Sequence, residues 1–94
     1  MRTFAEVVQD NWEKLRAYVP IVDRVHGPSH PEFHEVKRLF ESLSNKLTSG
    51  QDELDREFDQ LRQVTDNYRV PEDVCESYQA VYEMLAEADE AYSK

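Results

Sequence analysis

Apolar residues recur along this chain at steps of three and four, and that spacing constrains the fold more than any other feature. Phe4, Val8, Trp12, Leu15, Val19 and Val22 form a first series, and Phe33, Val36, Phe40, Leu43 and Leu47 a second. Leu54, Phe58, Leu61, Val64 and Tyr68 follow, and a last series takes Val74 or Cys75, Tyr78, Val81 or Tyr82, Leu85, Ala88 and Tyr92. A period near 3.6 puts each series on one face of a helix, whereas a half-buried strand would alternate with period two. The breaks fall near 27–29, 49–51 and 68–71, where "HGPS", "TSGQDE" and "TDNYRVP" supply the residues that end helices and build turns. Amphipathic helices of about 17 to 23 residues joined by short loops predict an all-α, antiparallel up-down-up-down four-helix bundle.

Local signals sharpen the helix ends. Thr3-x-x-Glu6 reads as a capping box that opens a helix over about residues 3–25, with Pro20 off its stripe and bending it near Arg16. Gly27 is placed to take a left-handed cap, and Pro28 cannot continue the ladder. Ser29 then reads as the N-cap of the second helix, with Pro31 in its first turn and Glu32 closing a capping box. Pro71 reads as the opening of the fourth helix.

A chain of 94 residues makes one domain, residues 1–94, with a modest core. Its formal net charge of −9 excludes nucleic acid and anionic membrane as partners, since either would need a cationic footprint, and leaves basic or neutral proteins open. The charge sets no oligomeric state. The first 25 residues hold no apolar run long enough for a signal or a span, and the single cysteine, Cys75, fits a reducing compartment. The expected location is therefore the cytosol, with Cys75 as a small core residue rather than a nucleophile. Trp12 and the tyrosines fall at core spacing, and the carboxylates of "QDELDREFD" and "EADEAY" read as solvated faces. No nucleophile elbow or triad motif is present, and no catalytic constellation with it.

All three histidines, His26, His30 and His34, lie in "VHGPSHPEFH" at an even spacing of four. That spacing aligns imidazoles only on an unbroken helix, and Gly27 and Pro28 interrupt it. The residues therefore read as helix-end and loop groups: His26 at a helix C-terminus gains from the macrodipole when protonated. The competing reading makes His26, His30 and His34 metal ligands, with nearby carboxylates completing the shell.

Two stretches, "VHGPSHPEF..V..LF" and "LRQVTDNYRVPEDVCESYQAVYEMLAE", resemble the hemerythrin-like domain of the di-iron proteins that repair iron–sulfur clusters. The second is the more specific, combining the "TDNY" turn, the "VPEDVC" helix start and the tyrosine pattern that follows. The resemblance spans nearly the whole chain. It implies a hemerythrin-like bundle that holds two irons through histidines and glutamates from all four helices and acts in recovery from oxidative or nitrosative damage.

Carried over position by position, the resemblance implies a chain depleted of those ligands. The family's "Tyr-His" pair falls on Phe4 and Ala5, its helix-two histidine on Gly50, and the histidine opening helix three on Gln51. The "His-x-x-x-Glu" of helix four would begin where the sequence given ends, at Lys94. His26 cannot substitute, because 21 helical residues past Ala5 it lies about 30 Å along the axis. The implied protein is a shortened, metal-free or metal-poor relative, with no cofactor where the family would carry di-iron.

Two functions follow from this reading. The first is a non-catalytic cytosolic module of the stress response that binds a protein partner or, as an accessory, stabilises an assembly. Its surface would be His26, His30, Asn67 and Tyr68, because an up-and-down bundle brings the two joins carrying them together. The second is a short repair protein that still handles iron, with ligands from two chains or from His26, His30 and His34.

Overall fold

A computed structural model describes residues 2–93. Four helices succeed one another: α1 Phe4–His26, α2 Glu32–Thr48, α3 Asp55–Val64 and α4 Glu76–Tyr92. The described residues contain no strand, so the all-α expectation holds. α1 packs chiefly on α4 and on α2, and α2 packs on α3. Among the described residues no helix is long and apolar enough to cross a membrane.

The core is the predicted stripes with a few shifts of register. Trp12, Leu15, Val19 and Val22 are buried on α1, as are Phe33, Val36, Phe40 and Leu43 on α2 and Tyr78, Val81, Tyr82, Leu85 and Ala88 on α4. At the start of α1, Val7 rather than Phe4 or Val8 is the fully buried residue, and those two pack at the margin. Burial of whole side chains of this size contributes about 1.5–3 kcal/mol each, which is what holds four short helices together. Trp12 adds geometry: its ring lies 5.1 Å from that of Phe40, and its indole N–H donates to Ser44 Oγ at 2.9 Å.

The helix ends differ from expectation more than the helix faces do. The Thr3/Glu6 capping box forms with both its hydrogen bonds. Gly27, however, is right-handed, at φ −51° and ψ −43°. What demands glycine there is contact: a Cβ would collide with the Asp23 carbonyl oxygen and lie 2.7 Å from Cε1 of His34. Ser29 is not the N-cap of α2; Pro31 is, without a side-chain bond, because the Glu32 carboxylate turns to His30 instead. Of the two glycines the left-handed one is Gly50, φ +76°, in a Schellman cap where the Gln51 N–H donates to the Lys46 carbonyl.

α3 has 10 residues, well short of the range expected, and the fourth helix opens at Glu76 rather than at Pro71. The chain leaves α3 through a second Schellman cap, in which Asp66 at φ +53° lets the Asn67 N–H donate to the Arg62 carbonyl at 2.8 Å. Asn67 and Tyr68 stay left-handed, at φ +60° and +63°, so Tyr68 is on no helical stripe. Each such residue costs about 1–2 kcal/mol unless local bonds hold it. Thr65 provides one such bond, its hydroxyl donating to the Leu61 carbonyl and accepting from the Tyr68 N–H. From Arg69 to Cys75 the chain then runs over the bundle end in irregular backbone, with Val70 and Val74 partly buried against the core. The joins are thus 27–31, 49–54 and 65–75.

Candidate functional site

The first and third joins meet, and histidines make the meeting. His26, in the last turn of α1, places Nε2 3.1 Å from Sγ of Cys75, the N-cap of α4. Cys75 is exposed, not a small core residue, because α4 starts only after it. His30 sits between two carboxylates, with Nδ1 2.9 Å from Glu32 and Nε2 3.0 Å from Asp73. Its side chain keeps only 14% of its exposure. Both imidazoles pack edge-on against the buried ring of Tyr78, at centroid distances of 5.4 and 5.5 Å. His34 stands apart from this pair of contacts: it is exposed on α2 and pairs with Asp23 of α1 at 2.6 Å.

Electrostatics follows from these partners. With a carboxylate on each ring nitrogen, the His30 pKa lies above the ordinary 6.5: the Glu32 bond raises it most, burial opposes that, and the bond and charge of Asp73 add to the rise. The bridge joins residues 43 positions apart, so it ties the third join to the first. Asn67 is exposed, and Tyr68 turns inward. The Tyr68 hydroxyl donates to Asp89 Oδ2 at 2.7 Å, and burial foremost, with that carboxylate second, drives its pKa far above that of free tyrosine.

Of the four residues expected to form a partner surface, then, His26 and His30 come together at the joins with Asp73 and Cys75 beside them. Tyr68 is committed to Asp89, and Asn67 projects outward. The alternative set of His26, His30 and His34 is divided among three separate partnerships. Among the described residues no three His, Cys, Asp or Glu side chains are placed to hold a metal ion.

Two carboxylates read as solvated are buried. Asp89 accepts from Arg62 Nε at 2.8 Å as well as from Tyr68. Glu57 accepts from Ser42 Oγ at 2.9 Å and pairs with Lys46 at 2.8 Å. Burial pushes the Glu57 pKa up, but the bonds from Lys46 and Ser42 together outweigh it and leave the pKa below the ordinary 4.5. The signal was in the spacing: Asp89 lies four residues after Leu85 and three before Tyr92, and Glu57 three after Leu54 and four before Leu61, both on the apolar stripes.

At the opposite end of the molecule, where the resemblance would look for its iron ligands, aromatic rings pack together. Phe4, Phe58 and Tyr92 form an aromatic plug with centroid distances of 6.1, 5.4 and 5.2 Å, where the family pattern would bring histidines and glutamates together. The Tyr92 hydroxyl accepts from the Leu54 N–H at 2.9 Å and donates to the Asp52 carbonyl at 3.1 Å, which closes the turn between α2 and α3 over the rings. The three rings offer neither imidazole nor carboxylate, and the carboxylate beside them, Asp55 Oδ2, accepts from the Tyr92 hydroxyl at 3.3 Å, so the plug does not fit a pair of irons. No family model matches the chain, and no solved structure matches it.

Proposed function

We propose that this chain is a metal-free or metal-poor relative of the hemerythrin-like iron–sulfur cluster repair proteins, acting in the cytosol as a non-catalytic module of the stress response that binds a protein partner. The observation that supports this reading is the Phe4/Phe58/Tyr92 plug, packed rings at the end of the bundle to which the resemblance would assign the iron ligands. The hemerythrin-like antiparallel order belongs to the same reading. In its support, the start of α1 meets the last turns of α4 through Arg2 and Asn11 on Glu87, and its end meets the start of α4 through His26 and Cys75. The joins that carry the family-like motifs are also the ones that the His30–Asp73 bridge fastens together.

Expression in iron-supplemented medium, followed by elemental analysis and a visible spectrum, tests the proposal. The expected result is protein without stoichiometric iron and without the absorption of an oxo-bridged di-iron centre. Iron retained at two atoms per chain, and lost on replacing His26, His30 and His34 by alanine, would establish the iron-handling function instead.

A further inference from the structure

Between residues 14 and 28 the charge balance of the molecule inverts. The chain carries 20 acidic side chains, yet this stretch, "KLRAYVPIVDRVHGP", holds one, Asp23, and that one faces α2 in its pair with His34. Its cations Lys14, Arg16 and Arg24 have no ion-pair partner among the described residues. The same stretch of α1 carries both large hydrophobic side chains that stand exposed among the described residues, Ile21 at 48% and Val25 at 61%. They are one turn apart, and the exposed positions Lys14, Ala17, Ile21, Arg24 and Pro28 follow steps of three and four, the spacing of a helix seam. α1 therefore has two apolar faces: an inner one buried against α2 and α4, and an outer one that none of the described residues covers.

We propose that the outer face of α1 is a docking surface for an acidic amphipathic helix of a protein partner. This rests on the protein-binding reading above and names the surface and partner chemistry for it. Apolar side chains of the incoming helix would lie along Ala17, Ile21 and Val25, and its carboxylates would reach Lys14 and Arg24 at the two ends of the strip. Charge complementarity selects this occupant. A second copy paired antiparallel through the same face would set Lys14 against Arg24 of its mate, like against like. An anionic membrane would meet the same cations, but a planar surface also faces the rest of a molecule whose net charge is −9, whereas a single helix does not. The average charge of the chain points to basic partners; the one uncovered apolar face points to an acidic one.

The test is fluorescence anisotropy with the full chain and a fluorescein-labelled helical peptide carrying leucines at i, i+3 and i+7 flanked by glutamates, beside the same peptide with lysines for glutamates. Saturable binding of the glutamate peptide alone is expected, weakening with added salt. Lys14→Glu/Arg24→Glu and Ile21→Ser/Val25→Ser should each weaken it by about tenfold or more at unchanged melting temperature, since they alter exposed side chains that carry the contact. Absence of binding, equal binding of the lysine peptide, or indifference to both pairs of substitutions would overturn the proposal. So would capture by phosphatidylserine vesicles in place of the peptide, or dimerisation in sedimentation abolished by Ile21→Ser/Val25→Ser. A metal-free chain that holds a partner through His26 and Asn67 while ignoring the peptide would sink this surface alone. An iron-loaded chain would sink the reading beneath it.

Discussion

Removing the Asp89 carboxylate tests how the third join is held. Asp89 keeps 7% of its side-chain exposure and receives the Tyr68 hydroxyl at 2.7 Å and Arg62 at 2.8 Å. A hydrogen bond to a charged group contributes about 1.5–3 kcal/mol, and the Tyr68 hydroxyl is partly buried. Arg62 is 41% exposed, so its pair adds no more than about 1 kcal/mol. Against these stands relief from a buried negative charge near a helix C-terminus, on the order of 0.5–1 kcal/mol. Asp89→Ala should therefore destabilise by about 2–3 kcal/mol, a fall of roughly 8–24 °C in melting temperature for a domain of this size. Tyr68→Phe alone should cost about 1.5–2 kcal/mol, and the double variant little more than Asp89→Ala, because both remove the same bond. Urea denaturation followed by helical circular dichroism gives all three numbers. A loss below about 0.5 kcal/mol for Asp89→Ala, or additive losses in the double variant, would show that the bond does not hold Tyr68 in its left-handed conformation.

Three further substitutions probe other contacts of the bundle. Phe40→Ala removes the ring packed at a tilt against Trp12 and should destabilise by about 3–5 kcal/mol in urea titrations. Gly27→Ala forces a methyl against the Asp23 carbonyl and the His34 ring and should cost about 1–3 kcal/mol in the same assay, even though the backbone there is ordinary helix. His30 has a raised folded pKa, so the stability it contributes is fully present below its unfolded value of 6.5 and is lost as pH rises through the folded value. Relative to His30→Gln, the parent protein should therefore be most favoured near pH 5.5 and lose that advantage in the alkaline direction; an advantage that grew with pH would refute the two-carboxylate clamp.

The helices could be read from spacing because a single physical requirement, burial of one face, dictates it over many residues. Joins obey several competing requirements at once, and there the reading failed. At Gly27, conformational freedom and close approach both explain a glycine, and only the right-handed backbone with the Asp23 carbonyl and His34 ring close by separates them. At Glu32, a capping role and an ion pair with His30 use the same carboxylate, and the ion pair wins because Asp73 completes it from a residue far along the chain. Pro71 suits the first turn of a helix, but Asp73 is drawn to His30 and Val74 to the core before α4 starts. The candidate site showed the same division. That His26 and His30 would approach the third join followed from helix order, whereas Asp73 as a partner carried no local signal. Asp89 and Glu57 were on the stripes in plain view, masked by the expectation that acidic residues face water.

The irregular stretch from Arg69 to Cys75 makes this a molecule that can be opened without being taken apart. After the Arg69 N–H, which donates to Thr65, no backbone N–H of the described residues up to Cys75 finds a backbone acceptor. The amides there should exchange with solvent far sooner than those of α1, and a protease should find its first purchase among them. A single nick would still leave α4 seated, because its largest contact is with α1, at the other end of the chain in sequence, rather than with α3, its immediate predecessor. Two fragments separated at this seam carry complementary halves of one core, and their reassembly can serve as a direct measure of how strongly α1 and α4 recognise each other.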